Sequence, residues 1–169
     1  MKKHLHLYLL LALLFTGSYS LVAQNTDSTT TIILVRHAEK DTIGGEDPEL
    51  SVAGQARAQK LQGTLKEHLP DNFYSTPYKR TRQTLQPWAD KSGKEIVIYN
   101  PQNMEAFAQV LLKMKGKTVV VAGHSNTVPT LVNLLSGAAK YQSLNDSVYN
   151  KIFIVTVKGS AVSDRVVEY

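Results

Sequence analysis

Two uninterrupted apolar runs do most to limit what this chain can fold into. They are T-I-I-L-V-R at residues 31–36 and K-T-V-V-V-A at residues 117–122. Neither run alternates between apolar and polar side chains, which is typical of strands buried on both faces, as in a parallel sheet covered by helices. The sequence therefore predicts an α/β protein with these two runs as its most buried strands.

The remaining segments fit the same architecture, because strand and helix patterns alternate along the chain. Further strands are predicted over residues 72–75, 96–99, 152–157 and 161–167, with a hairpin turn at Lys158 and Gly159. Helices are predicted over residues 52–69, 77–92, 104–114 and 126–135, where Ser51 caps the first and Gly93 and Gly137 end the second and fourth. We expect a three-layer sandwich: a mostly parallel central sheet flanked by helices, with an antiparallel C-terminal edge.

The first 23 residues have the pattern of a secretory signal peptide. Two lysines precede a nearly continuous apolar run over residues 7–15, and small residues follow up to Ala23. The run is too short to span a ~30 Å hydrocarbon core. We expect cleavage near Ser20 or Ala23 and export, to the periplasm or as a secreted protein, without a stable membrane anchor; an uncleaved interfacial helix is the alternative. Residues 24–30 are expected to form a flexible lead-in, and residues 31–169 a single domain.

Composition excludes several classes of chemistry. The chain has no cysteine, which excludes disulfide scaffolds, cysteine-ligated zinc, iron–sulfur clusters and thiol nucleophiles. The formal net charge is +5, and two of these charges belong to the predicted signal peptide. No basic face with interleaved aromatic residues supports a nucleic-acid partner, and no glycine-rich segment ends in Gly-Lys-Ser or Gly-Lys-Thr as a nucleotide-binding P-loop does.

Each of the two apolar runs leads to a histidine. His37 follows Arg36, and His124 follows Gly123. Ligands of open α/β sheets bind outside the carboxyl ends of the strands, where these residues are expected to meet. Guanidinium donors match phosphate oxygens, a neutral imidazole is a nucleophile toward phosphorus, and a second, protonated histidine would add positive charge. Either histidine alone is more typical of a capping or core residue, whereas the pair predicts a phosphoryl site.

Four segments, in this order, resemble the histidine phosphatase superfamily, which includes the cofactor-dependent phosphoglycerate mutases and the phosphohistidine phosphatases. They are L-V-R-H-A-E-K at 34–40, D-P-E-L-S-V-A-G-Q-A-R-A at 47–58, S-T-P-Y-K-R-T-R-Q-T at 75–84 and V-V-V-A-G-H-S-N-T-V-P at 119–129. Ala38, where many members have glycine, is similar to the short phosphohistidine-phosphatase-like branch. The resemblance implies a phosphoglycerate mutase-like fold and a hydrolase of the phosphatase type.

The resemblance also implies roles for particular residues. His37 would be the nucleophile that forms a phosphohistidine intermediate, Arg36 and Arg80 would clamp the phosphoryl oxygens, and His124 would stabilise the transferring group. Two arginines and two histidines can neutralise a phosphoryl dianion, so neither a metal nor another cofactor is expected. Lys40 and Ser125 are candidate substrate contacts, whereas Arg82 fits a solvated helix face.

This sequence departs from the family pattern most at the general acid of the reaction. Mutases and broad phosphatases of this family carry an acidic residue in a longer segment between the second arginine and the second histidine. Glu105 is the candidate acid here, and a glutamate that merely stabilises a helix N-terminus is the other interpretation. A missing acid would favour phosphohistidine, acyl phosphates or anhydrides, whose leaving groups need little protonation.

We therefore expect an exported phosphatase that hydrolyses phosphomonoesters or other phosphorylated compounds, either small molecules or phosphopeptides. The absence of lid-forming insertions argues against mutase activity, which needs a sequestered intermediate. One alternative is a catalytically weak phosphate- or phosphoprotein-binding module of the same fold. Another is a serine hydrolase acting through Ser125, which Thr127 disfavours because a nucleophile elbow has glycine at that position.

Overall fold

A computed structural model describes residues 28–169, so the predicted signal peptide and the first part of the predicted lead-in lie outside the described residues. The first strand begins at Thr29, two residues earlier than predicted. Thr29 and Thr30 pair with Lys158 and Val157 of the antiparallel neighbour, and the Thr30 hydroxyl donates a 2.6 Å hydrogen bond to the carbonyl oxygen of Met114. The end of the lead-in is therefore part of the sheet, since β-branched threonines suit a strand.

Six strands and four helices make up the described part of the chain. The strands are β1 Thr29–Arg36, β2 Asn72–Ser75, β3 Ile96–Ile98, β4 Thr118–Gly123, β5 Lys151–Lys158 and β6 Ala161–Glu168. The helices are α1 Val52–Thr64, α2 Lys79–Ser92, α3 Met104–Leu112 and α4 Thr127–Ser136. No helix within residues 28–169 has both the length and the apolar character needed to cross a membrane.

Several helix boundaries differ from the predicted ones, most of all the end of α1. α1 ends at Thr64, and Leu69, predicted on its apolar face, is 84% exposed. Leu69 precedes Pro70, and the residue before a proline is disfavoured in helical conformation. Pro77, predicted in the first turn of α2, lies before the helix. The N-cap of α2 is Tyr78, which has extended backbone. Gly93 and Gly137 end α2 and α4 in the left-handed conformation, as predicted.

The sheet has the order β3-β2-β4-β1-β5-β6. The first four strands in that order are parallel, whereas β5 is antiparallel to β1 and β6 is antiparallel to β5. Alternate residues of β1 enter opposite cores: Ile32 and Leu34 pack with residues of α3 and α4, and Ile33 and Val35 pack with residues of α1 and α2. The predicted three-layer sandwich with an antiparallel C-terminal edge is confirmed.

This topology assembles one edge of the sheet from distant parts of the chain. Arg36 at the end of β1 is in register with Gly123 at the end of β4, and the His37 N–H donates a 2.9 Å hydrogen bond to the Gly123 carbonyl oxygen. β2 ends at the same edge with Ser75, so the segment leading into α2 arrives there as well. Because β5 is antiparallel to β1, the residues that precede β5 also reach this edge.

Candidate active site

The two histidines predicted to meet at the strand ends are neighbours. The ring centroids of His37 and His124 are 5.4 Å apart, with an angle of 68° between the planes. His37 is buried, at 5% exposure, and His124 is half-buried. A tyrosine flanks each imidazole. The ring centroid of Tyr149 lies 6.1 Å from that of His37, and the ring centroid of Tyr78 lies 5.0 Å from that of His124 in an edge-on arrangement.

His37 is held as a single tautomer. Its Nδ1 lies 2.8 Å from the carbonyl oxygen of Ala38, which only accepts hydrogen bonds, so Nδ1 carries the proton and Nε2 has the lone pair. Burial lowers the pKa of His37 to about 4; the Ala38 hydrogen bond opposes this shift, and the charges of Arg80, His124 and Arg36 add to it. His37 is therefore neutral near pH 7, with Nε2 in the form that a nucleophile requires.

His124 is fixed at two points. Its backbone N–H donates to Thr127 Oγ1 at 2.8 Å, and its Nε2 lies 3.0 Å from Thr76 Oγ1. Burial, followed by the charges of Arg80 and Arg36, lowers the pKa of His124 to about 4. The positive charge expected from a protonated second histidine is thus absent from the free protein near pH 7, because burial disfavours the charged imidazole and the two guanidiniums add to this effect.

Arg80 lies in the first turn of α2 with most of its side chain buried. Its Cζ is 4.5 Å from the centroid of the Tyr78 ring, and its Nη1 is 3.7 Å from Asp47 Oδ1. Its Nε and Nη1 are buried and have no hydrogen-bond partner. Buried donors without partners are unfavourable, which suits a site whose acceptor is a bound anion.

Arg36 is bound by a segment that the sequence left without an assignment. Its Nη1 donates to the carbonyl oxygens of Asn145, Asp146 and Val148 at 2.9, 3.1 and 3.0 Å. Its Cζ lies 4.2 Å from the centroid of the Tyr149 ring. Among the nitrogens of the Arg36 guanidinium, only Nε is buried without a hydrogen-bond partner. Arg36 therefore anchors the segment between α4 and β5. Only the guanidinium N–H groups that these carbonyl oxygens do not engage are left to bind a phosphoryl group, as the resemblance implies.

Carboxylates accompany both guanidiniums without satisfying them. Asp146 Oδ1 lies 3.6 Å from Arg36 Nη2, and Asp47 Oδ1 lies 3.7 Å from Arg80 Nη1. Both distances exceed the ~2.8 Å of a charge-assisted hydrogen bond, so an oxyanion that reaches the guanidiniums gains contacts that these carboxylates do not make. Within residues 28–169, no three histidine, aspartate or glutamate side chains lie together as a potential metal-ligand set.

Thr84 links the loop after β1 to the first turn of α2, and it was not among the predicted site residues. Its hydroxyl accepts a 2.9 Å hydrogen bond from the Ala38 N–H and donates a 2.7 Å hydrogen bond to the Arg80 carbonyl oxygen. The side chain is fully buried. Thr84 is the last residue of the motif at 75–84, so the sequence carried a signal for it, although not for its contacts.

The loop after His37 is clamped by the start of α1. The Glu39 carbonyl oxygen accepts from both the N–H and the hydroxyl of Ser51, and a Cβ at Gly54 would lie 2.1 Å from that oxygen. The Glu39 carboxylate accepts two 2.8 Å hydrogen bonds from Arg57 Nε and one of 2.6 Å from its Nη2. These hydrogen bonds are the main cause of the lowered pKa of Glu39, which is therefore ionised and fully engaged beside the nucleophile.

The other three predicted site residues are not joined to this cluster. Glu105 is exposed in the first turn of α3, and no hydrogen bond or ion pair links it to the histidines or arginines within the described chain. Lys40 is exposed and forms a β-bridge with Leu50. Ser125 is half-buried, and its carbonyl oxygen accepts from the Leu144 N–H at 2.9 Å. Since His124 Nε2 contacts Thr76 rather than Ser125, the geometry does not favour a serine nucleophile.

A known family model covers part of the chain that contains this cluster. Residues 32–101 match the model of the histidine phosphatase superfamily (branch 1). The matched range contains Arg36, His37 and Arg80 and ends before His124. No curated protein matches the chain.

Solved structures of similar fold cover most of the chain. The protein histidine phosphatase SixA complexed with tungstate has a TM-score of 0.66 and 18% identity, over 82% of this chain and 96% of that one. A mycobacterial glucosyl-3-phosphoglycerate phosphatase has a TM-score of 0.66 and 12% identity, over 83% and 98%. A phosphoserine phosphatase from Entamoeba histolytica, in complex with 3-phosphoglyceric acid, has a TM-score of 0.56 and 20% identity, over 75% and 90%. These likenesses confirm the predicted phosphoglycerate mutase-like fold.

Proposed function

Since the predicted resemblance to the histidine phosphatase superfamily is confirmed by the family match and by the fold, we propose that the protein is a phosphatase. It hydrolyses phosphorylated small molecules or phosphopeptides through a phosphohistidine on His37. The observation that carries the proposal is the buried, neutral His37 beside guanidinium N–H groups of Arg36 and Arg80 that have no hydrogen-bond partner in the described chain.

The first step transfers the phosphoryl group to the protein. The lone pair on His37 Nε2 attacks phosphorus, an N–P bond forms, and the bond from phosphorus to the leaving group breaks with its electron pair on that group. The Nδ1–H bond to the Ala38 carbonyl oxygen stabilises the positive charge that the ring acquires. The free N–H groups of Arg80 and Arg36 bind the phosphoryl oxygens as the charge is redistributed.

The second step returns the protein to its starting state. A water oxygen attacks phosphorus, the N–P bond breaks, and its electron pair returns to His37 Nε2. The water proton leaves with the phosphate product or passes to solvent. The positioned guanidiniums act in both steps, because the phosphoryl group stays between the same residues throughout.

The surroundings of the site favour substrates with stable leaving groups. The carboxylate of Glu39, two residues after the nucleophile, is engaged by Arg57, and these hydrogen bonds lower its pKa. An ionised carboxylate paired with arginine is a poor proton donor. We therefore expect aryl phosphates, acyl phosphates, anhydrides and phosphoramidates such as phosphohistidine to react faster than alkyl phosphates.

Hydrolysis of p-nitrophenyl phosphate by the purified chain tests the proposal directly. A ³²P-labelled substrate should leave an acid-labile, alkali-stable label on the protein, and His37→Ala should abolish both label and turnover. His68→Ala is the matched control, since His68 lies outside the cluster. Tungstate binding without turnover of any phosphorylated compound would contradict the enzyme and favour the catalytically weak binding module.

We also propose that the protein is exported, to the periplasm or as a secreted protein. The basic start and short apolar run of residues 1–23 support this proposal. N-terminal sequencing of protein from fractionated cells tests it. A start near residue 21 or 24 in the exported fraction is expected, whereas cytoplasmic protein that retains residues 1–23 would contradict it.

A further inference from the structure

A buried threonine that was not among the predicted site residues contacts the second histidine. Thr76 follows β2, and its side chain is fully buried. Its hydroxyl oxygen lies 3.0 Å from His124 Nε2 and 2.9 Å from Thr81 Oγ1. The hydroxyl therefore links His124 to a second buried hydroxyl at the start of α2.

The hydrogens along this link can be counted, because each hydroxyl has a single hydrogen. Thr81 Oγ1 lies 2.8 Å from the Tyr78 carbonyl oxygen and 3.1 Å from the Thr76 carbonyl oxygen, and carbonyl oxygens only accept. The Thr81 hydrogen is used there, so its oxygen accepts the hydrogen of Thr76. Only lone pairs of the Thr76 oxygen are left for His124, and His124 Nε2 must donate.

We propose that Thr76 is a positioning residue that holds the proton of neutral His124 on Nε2, so that Nδ1 is left with a lone pair and takes up a proton when a phosphoryl group binds. The bound group is taken from the proposed function. The tautomer of the free protein follows from the hydroxyl link alone.

Proton uptake follows from the charge of the ligand. A lone pair on Nδ1 repels a phosphoryl oxygen, whereas an Nδ1–H donates to it, so an oxyanion binds the imidazolium form. The added proton comes from solvent and returns to solvent when phosphate leaves. The groups that face His124 are Arg36, Arg80, His37 and the ring of Tyr78. Burial and the charges of the two arginines keep His124 neutral until a bound anion offsets both effects.

His37 and His124 therefore have opposite tautomers in the free protein. The Ala38 carbonyl oxygen keeps the proton of His37 on Nδ1 and leaves Nε2 as the nucleophile. Thr76 keeps the proton of His124 on Nε2 and leaves Nδ1 as the proton acceptor. Two histidines of similar pKa are thereby prepared for different parts of one reaction.

The tautomer is measured first, on the free protein. Ring ¹⁵N–¹H correlation spectra of the full chain near pH 7, assigned by loss of signals in His124→Gln, should show a protonated Nε2 and an unprotonated Nδ1. Thr76→Ser should keep this pattern because it keeps the hydroxyl. Thr81→Val frees the Thr76 hydrogen to point at Nε2, so the Nδ1–H form should increase, as it should in Thr76→Val. The His68 signals serve as the internal control.

Binding is measured second, with tungstate as the probe because it is a dianion that brings no proton near pH 7. Calorimetry in buffers of different ionisation enthalpy should show uptake of about one proton per tungstate by the wild type and by Thr76→Ser. Thr76→Val should take up less and bind roughly 10-fold more weakly, since the imidazolium loses a hydrogen bond.

The outcomes separate this inference from the function on which it rests. A wild-type His124 that is mainly protonated on Nδ1 would overturn the inference, as would tungstate binding without proton uptake, and neither would affect the phosphatase proposal. A failure to bind tungstate at all would count against the phosphatase proposal, and the Nε2–H signal and its response to Thr81→Val would still decide the role of Thr76.

Discussion

Replacing Arg80 with methionine tests whether this protein maintains an unfavourable arrangement in order to bind an anion. Nε and Nη1 of Arg80 are buried without hydrogen-bond partners. An unpaired buried donor costs about 1–3 kcal/mol, so removing both should stabilise the folded state by roughly 2–6 kcal/mol. Methionine retains an apolar side chain of similar reach, so the packing of the stem is largely kept.

Two favourable contacts are lost in the same substitution. The guanidinium lies over the Tyr78 ring, a contact worth about 1 kcal/mol. Its ion pair with the partly exposed Asp47 is worth at most about 1 kcal/mol. The balance is a net stabilisation of about 2 kcal/mol, which raises the melting temperature by roughly 4–8 °C in a domain of this size.

Activity should move in the opposite direction. The transferring phosphoryl group loses two charge-assisted hydrogen bonds of about 1.5–3 kcal/mol each, so kcat/KM should fall roughly 10²- to 10⁴-fold. Thermal unfolding followed by circular dichroism and hydrolysis of p-nitrophenyl phosphate measure the two effects on the same sample. Arg82→Met is the matched control, because Arg82 is exposed on the same helix and should change neither quantity.

Two results would refute this reasoning. A melting temperature several degrees lower in Arg80→Met would show that the buried donors are satisfied in the free protein. Unchanged kcat/KM would show that the guanidinium does not bind the transferring group. Arg80→Lys adds a further check, since a lysine keeps the charge without the planar fork and should restore little of the activity.

Further predictions concern protonation and the loop beside the nucleophile. Because the pKa of His37 is lowered to about 4, kcat/KM for an aryl phosphate should not fall as the pH is lowered from 7 to 5; a half-loss near pH 6.5 would contradict the burial of His37. The pKa values of His37 and His124 are below the unfolded value of 6.5, so the unfolded chain binds protons first and stability is lost as pH falls from 6.5 toward 4. Urea unfolding should record a loss of up to about 3 kcal/mol per histidine, and a His37→Gln/His124→Gln double variant should remove most of this slope. Gly54→Ala should displace the Glu39 carbonyl and lower both activity and melting temperature, because its Cβ would lie 2.1 Å from that oxygen. Gly63→Ala in the same helix meets nothing within 4 Å and should instead stabilise by up to ~1 kcal/mol with no change in turnover, so equal effects at the two glycines would exclude the steric explanation.

The parts of the fold that the sequence predicted are those that follow from local pattern. The unbroken β-branched runs became β1 and β4, whose residues 32–35 and 119–122 are fully buried between two helical layers. Helix ends were predicted where glycine takes the left-handed conformation, as at Gly93 and Gly137. They were missed where no such glycine marks the end, as after α1, whose C-cap is Leu65.

The segment between α4 and β5 was not predictable in the same way. It has no regular secondary structure, and its contact with Arg36 is made by backbone carbonyl oxygens more than 100 residues away in the chain. Carbonyl oxygens carry no residue-specific signal in a sequence. The engagement of Arg36, and the approach of Tyr149 to His37, therefore depended on how the antiparallel strand returns to the sheet.

By itself the sequence determined the layer architecture and the chemical types at the strand ends, because burial periodicity and residue identity are local properties. His37, His124 and Arg36 were predicted in this way, and Arg80 from the family resemblance. Only the tertiary structure decided the protonation state of each histidine and the partners of each guanidinium. Those properties depend on desolvation and on hydrogen-bond partners that lie far away in the chain, so they exist only once the sheet has brought the strand ends together.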